Sequence, residues 1–220
     1  MGSGMGQTNR SMTDAVPIRN AASLVLWRAG PGGAQVLMGQ RGSAAVFMPS
    51  KYVFPGGAVD AGDHSAGHLT ASCEARLAQH CPPGAPRPEA LAGCVLRELV
   101  EETGLALAKA APLSFVFRAV TPAGSPRRFD ARFFLADAAH VSGDPDDFSA
   151  ATDELSHLHW IGLTKARRLD LPFITEVILA EVAALLSGLP QLGLPQPGLP
   201  QLGVPFFDNS GPVPTFRRLT

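Results

Sequence analysis

Nine residues, Arg97-Glu98-Leu99-Val100-Glu101-Glu102-Thr103-Gly104-Leu105, concentrate acid in one short stretch. Wound as a helix at about 100° per residue, Glu98, Glu101 and Glu102 fall within an arc of about 100°. Leu96, Leu99, Val100 and Ala92 take the opposite face, suited to packing on a sheet. Arg97 precedes Glu101 by four residues and can bridge to it. Like charges a turn apart, near the negative end of a helix dipole, cost about a few tenths of a kcal/mol each. A cluster of hard oxygen donors suits Mg²⁺ or Mn²⁺, which bind a few carboxylates together with substrate phosphates and so offset the repulsion. The plain alternative is a solvated acidic helix face. Upstream, Val53-Phe54-Pro55-Gly56-Gly57 supplies a glycine pair at which the backbone can approach an ion or phosphate closely.

The elements that must hold these residues read as a mixture. Ala22–Arg28 and Ala34–Gln40 are short apolar runs around an Ala-Gly-Pro-Gly-Gly turn, and Val53–Val59 is a third run broken by Pro55-Gly56-Gly57. Leu113–Val120, Arg128–Ala136 and Asp153–Leu163 complete the β-type segments, the last anchored by Trp160. Helices are expected over Pro88–Thr103, which ends at Gly104, and over Ile174–Leu186, flanked by Pro172 and Gly188. Strands and helices in mixed order favour an α/β sandwich.

The chain has 220 residues, enough for one domain, or one domain with a tail. At 45% hydrophobic and 17% charged it can build a sizeable core, which excludes wholesale disorder. Lys and Arg total 18 against 19 Asp and Glu, so the bulk charge asks for neither a nucleic acid nor a membrane surface. No apolar run is long enough to span a bilayer. Cys73, Cys81 and Cys94 form neither a disulfide framework nor a zinc knuckle and suit a reducing cytoplasm. Residues 1–16 read as a disordered or vector-derived start. The segment Leu189–Gly203 repeats a five-residue unit, LPQLG LPQPG LPQLG. A proline in each unit points to an extended arm, with the domain proper ending near Ser187 and residues 189–220 lying outside it.

Together, the glycine pair and the carboxylate stretch resemble the Nudix hydrolase signature, G-x5-E-x7-R-E-U-x-E-E-x-G-U with U aliphatic. The second half matches at every fixed position. By chance this occurs in such a chain with a probability on the order of 10⁻⁵ to 10⁻⁴. In the first half, Asp63 stands five residues beyond Gly57 where the family has Glu, and 33 residues then separate it from Arg97 where the family has seven. The insert of 26 residues, about 64–88, holds a short helix over Leu69–Gln79 and reads as a surface excursion. Its His64, His68, His80, Cys73 and Cys81 have no zinc-site spacing. A box split this way, preceded by Phe47-Met48-Pro49, resembles the branch related to peroxisomal coenzyme A diphosphatases, as do Pro126–Phe134 and Glu154 with Trp160.

The resemblance implies a Nudix α-β-α sandwich around a mixed sheet, spanning about residues 17–188, and hydrolysis of a diphosphate linked to another moiety. By matching position, Glu98, Glu101 and Glu102 become the ligands of Mg²⁺ or Mn²⁺, helped by the Gly56 carbonyl, and Arg97 orients the carboxylates with Asp63. The proton of the attacking water goes to Glu98 or to Glu154, which could equally be a fourth ligand. Arg41, Arg128 and Arg132 are cationic forks that could hold substrate phosphates beside Gly57, and Arg128 and Arg132 share a strand face with Asp130 between them. Phe47, Phe133, Phe134 and Trp160 could stack on a base or belong to the core. His157 and His159 suit acid–base work less well than an exposed strand.

Coenzyme A or an acyl-CoA is the favoured substrate by branch resemblance. ADP-ribose, a dinucleotide or a nucleotide sugar is the alternative. From another class, Asp63 and the insert could mark a Nudix scaffold that senses a nucleotide without turnover. Relatives that pair as homodimers leave room for a second copy of the chain as partner.

Overall fold

A computed structural model describes residues 16–192 and 203–220, with the side chains of 188–192 undescribed. Strands β1 (Ile18–Gly30) and β2 (Gly33–Arg41) pair antiparallel only at their joined ends, from Trp27↔Val36 to Gly30↔Gly33. The first half of β1 is thereby free to pair with β4 (Gly56–Ala58), in the register Ala21↔Ala58, Ala22↔Gly57 and Ser23↔Gly56. This register sets the glycine pair against the middle of the sheet. The remaining strands are β3 (Tyr52–Val53), β5 (Ser114–Val120), β6 (Arg128–Asp137), β7 (Leu155–Gly162), β8 (Val204–Asp208) and β9 (Thr215–Leu219). They lie in the order β3-β2-β1-β6-β5-β8-β9, with β4 on β1 and β7 on β2. The sheet is mixed: β1 runs parallel to β6, and β5 parallel to β8.

Successive strand residues point to opposite faces, so each face has its own core. Ala22, Leu24, Leu26, Phe115 and Phe134 pack against α1 (Ala71–Gln79) and α2 (Pro88–Thr103). Val25, Val36, Met38, Phe133 and Leu135 pack against α4 (Phe173–Leu192), near a short α3 (Leu163–Ala166). The expected α/β sandwich is what forms. Helix α2 has the expected bounds because Pro88 opens it without wasting a donor and Gly104 closes it at φ 75°, a left-handed position where a side chain would be strained. It buries Leu91, Ala92, Val95 and Leu99, while Val100, expected on that face, is 47% exposed.

Two expectations are corrected. The insert is no mere surface excursion. Its helix α1 is capped by Thr70 and buries Cys73 and Leu77, and the Phe115 backbone N–H donates to Cys73 Sγ at 3.3 Å. Nor does the domain end near Ser187. Helix α4 runs through Leu192, and β8 and β9 extend the main sheet, with Arg118↔Phe206 joining β8 to β5. Val204, Phe206 and Leu219 are buried in the α1–α2 core, so apolar burial recruits 204–219 however many prolines precede it. Residues 193–202 of the pentapeptide repeat, and residues 1–15, lie outside the described residues.

Candidate active site

Helix α2 packs against β4, and the absence of side chains at Gly56 and Gly57 lets its carboxylates reach the sheet. A Cβ placed on Gly57 would stand 2.1 Å from Glu98 Oε1. Glu102, one turn further, accepts the Gly56 backbone N–H on Oε2 at 2.7 Å. Glu154, just before β7, completes the group: each of Glu98, Glu102 and Glu154 offers one oxygen, all within 4.8 Å of one another. Glu98 and Glu102 are buried and Glu154 is exposed.

Glu101 has a half-exposed side chain, turned to an ion pair with Arg97 Nη1 at 3.1 Å, and stands outside the converging trio. Glu154, far away in sequence, is the third member of the trio. Arg97 is the hub of the second layer. Its Nε and Nη2 donate to the two oxygens of Asp63 at 2.8 and 3.0 Å, and its Nη1 donates to Glu98 Oε1 at 2.8 Å. Its Nη2 also donates to the Ala58 carbonyl at 3.1 Å, tying the helix to the glycine loop. Asp63 thus reaches Arg97 through both oxygens despite its short side chain. Burial pulls the Asp63 carboxyl upward, but the Arg97 bonds outweigh it and hold the group below its ordinary range.

Burial pushes Glu102 up to about 8, the Gly56 N–H opposing and the Glu98 charge adding to the rise. Glu98 is raised too, by burial first, with Arg97 pulling against it. Such crowding costs free energy in the absence of a counter-charge. Hard carboxylate oxygens, mutually close and two of them buried, fit a divalent ion such as Mg²⁺ or Mn²⁺. The nearest thiol does not compete: Cys94 donates to the Gly57 and Ala58 carbonyls, and burial pushes it up to about 12.

A cavity of about 550 Å³ opens from the trio across the α4 side of the sheet. Arg41 lines it, its Nε buried and without a hydrogen-bond partner among the described residues. Gly56, Gly57, Phe47 and Phe133 line it as well, Phe47 packing edge-on against Phe129 at 5.2 Å. Arg128 and Arg132 do not. Both lie on the even face of β6, whereas Phe129, Ala131 and Phe133 of the odd face form the wall. Arg128 donates to the Thr121 and Asn209 carbonyls. Arg132 is 1% exposed and bound to Asn20 and Asp130, and Asp130 in turn is held by Arg118 through both oxygens. Both arginines thus point away from the cavity and bond to groups within the fold. Phe134 is core and Trp160 donates to the Pro145 carbonyl, so neither reaches the cavity. His157 and His159 also stand outside it.

The sequence reading missed Arg19, Arg127, Phe173, Phe207 and Asn209, all of which line the cavity. The odd-face run Phe129, Ala131 and Phe133 carried a usable signal, because it extends back by parity to Arg127. Nothing in the sequence signalled that β8 would deliver Phe207 and Asn209.

No family model matches the chain. Among solved structures, a Nudix hydrolase from Alicyclobacillus acidocaldarius is 27% identical, covering 76% of this chain and 92% of its own, with a TM-score of 0.54. A Nudix hydrolase from M. smegmatis is 20% identical over 78% and 88%, with a TM-score of 0.50. The Nudix domain of Shewanella oneidensis NrtR, solved with ADP ribose, is 15% identical over 76% and 88%, with a TM-score of 0.52. The mixed sheet between helical layers, with a carboxylate helix against a glycine loop, is the Nudix architecture. The chain thus shares its fold with Nudix hydrolases and carries every fixed residue of the Arg97–Leu105 half of their signature.

Proposed function

We propose that this protein hydrolyses a diphosphate bond in a nucleoside diphosphate derivative with the aid of bound Mg²⁺ or Mn²⁺, and that coenzyme A or an acyl-CoA is its preferred substrate. The observation that carries the hydrolytic reading is the convergence of Glu98, Glu102 and Glu154 at one end of a cavity that also holds an uncommitted Arg41. When bound, a divalent ion neutralises charge on the diphosphate and acidifies water. Glu98, Glu102 and Glu154 would hold it.

The chain's own groups divide the remaining work. Arg41 presents a guanidinium to the phosphate oxygens. Arg97 fixes Glu98 through one oxygen, and Gly56 fixes Glu102 through one oxygen, which commits both to ligation. Glu154 would lend one oxygen to the ion, and its side chain faces solvent with no hydrogen bond or ion pair among the described residues, so its second oxygen is the acceptor for the proton of the attacking water. Phe47, Phe129 and Phe133 give the rest of the substrate an aromatic wall. The preference for a CoA substrate rests on the split box and the Phe47-Met48-Pro49 neighbourhood.

The test is a panel of coenzyme A, acetyl-CoA, ADP-ribose, a dinucleotide and a nucleotide sugar, each with Mg²⁺ or Mn²⁺. Cleavage between the two phosphorus atoms is expected, giving adenosine 3′,5′-bisphosphate and a 4′-phosphopantetheine from the CoA members and nucleoside 5′-phosphates from the others, fastest from the CoA members. Loss of all turnover on adding a chelator supports the metal requirement. No product from any member would end the hydrolase reading, and a faster non-CoA member would end the substrate preference alone.

A further inference from the structure

The end of the cavity away from the carboxylates holds two more guanidinium groups. Arg19 lies on β1 and Arg127 in the turn leading into β6, and both line the cavity. In the parallel register Arg19 sits opposite Phe129, and Arg127 precedes Phe129 by two residues, which brings the two together at one end of the wall. Among the described residues neither side chain has a hydrogen-bond or ion-pair partner. Among the described lining residues the acidic ones are Glu98, Glu102 and Glu154 alone, so nothing at this end balances the positive charge. Asp60 and Asp63 share a neighbouring hollow with Arg19, but Arg97 holds them at 3.8 and 2.8 Å. Ser23, opposite Gly56, marks the carboxylate end of β1. Four residues of strand separate it from Arg19, about 13 Å at roughly 3.3 Å each.

We propose that Arg19 and Arg127 form a second anion subsite, which takes a phosphate monoester carried by the nucleoside half of the substrate. The placement of the nucleoside rests on the hydrolase reading above, with the diphosphate at Arg41 and the carboxylates. A phosphate on the ribose would meet two guanidinium forks, and two charge-assisted contacts select it over an unphosphorylated ribose. The subsite therefore sets specificity and leaves the bond-breaking groups unchanged.

Binding to the full chain, measured by calorimetry, separates this proposal from the catalytic one. The probes are adenosine 5′-monophosphate, adenosine 3′,5′-bisphosphate and adenosine 2′,5′-bisphosphate. One bisphosphate should bind about 10-fold or more tightly than the monophosphate, and the better isomer identifies the ribose position. In the Arg19→Gln/Arg127→Gln variant that advantage should shrink to below about 2-fold, and Arg→Lys at both positions should restore part of it. Both side chains are exposed, so the variants should keep the wild-type circular dichroism and thermal midpoint. Equal affinities for all three probes in the wild type, or an advantage that survives in the Gln variant, would overturn the subsite. A chain that discriminates the probes yet hydrolyses no diphosphate would overturn the hydrolase reading instead.

Discussion

Glu154 differs from the other two members of its cluster in being exposed and, among the described residues, without a hydrogen-bond partner, while Glu98 and Glu102 are each gripped by a neighbour. Replacing it with Gln removes a proton acceptor and keeps the shape. The kcat of Glu154→Gln is expected to fall about 10²- to 10⁴-fold, with the thermal midpoint little changed. An unaltered kcat would hand the base role to Glu98. Glu102 supports a different measurement. Its folded carboxyl titrates at about 8, whereas the unfolded chain releases the same proton near 4.5. Between these values the folded state holds more protons than the unfolded state, so stability declines as pH rises through the window. Metal-free protein should show a thermal midpoint that drops from pH 5 to 8, the Glu102→Gln variant should lose that component, and Mg²⁺ or Mn²⁺ should reverse it. A midpoint that climbs over this range in the wild type would contradict the burial argument. The sequence made Glu98, Arg97 and the glycine pair legible because they fall within one helical turn or one loop. The Glu101 ion pair with Arg97 was less legible, because helical phase alone cannot tell an ion-paired rim from an inward face.

At the scale of elements, the contact of α2 with β4 governs the site. An alanine at 57 would thrust its methyl into the Glu98 carboxylate, the flexible end of a side chain that can swing away. Gly57→Ala should therefore keep its fold yet lose about 10- to 100-fold in divalent-ion affinity, measured by titration calorimetry. Breaking the Arg97–Asp63 pair acts through the same contact. Asp63→Asn leaves a half-buried guanidinium with a weaker partner, and a loss of about 1–3 kcal/mol in denaturant unfolding is expected. Element bounds were readable where local chemistry sets them: Pro88 and Gly104 delimit α2 in sequence and in structure alike. Facing was not. Arg128 and Arg132 share a face, as parity requires, but which face of β6 opens to the cavity depends on where α4 and β1 lie, and no local pattern carries that.

For the whole molecule, the C-terminal strands are part of the fold. Val204, Phe206 and Leu219 are each 3% exposed or less. At about 1.5–3 kcal/mol per buried side chain, their loss removes roughly 5–9 kcal/mol, comparable with the total of about 5–15 kcal/mol for a typical domain. A chain ending at residue 192 should fail to show a cooperative unfolding transition, and a cooperative one near the full-length midpoint would refute this accounting. Their recruitment was hidden in the sequence because β8 pairs with a strand more than 80 residues earlier, across a proline-rich stretch that reads as a boundary. The α/β class itself was legible, since it needs only the alternation of apolar periods.

The Arg97–Asp63 bridge has one more consequence. It clamps together the two ends of the 33-residue stretch between them, and α1 seats the middle of that stretch on the core. A segment whose ends are already pinned can gain or lose length cheaply, at about 0.6 kcal/mol per doubling of a flexible loop. The exposed bend at Gly84 is then a natural splice point, where added cargo would ride on the protein without pulling on the machinery at either anchor.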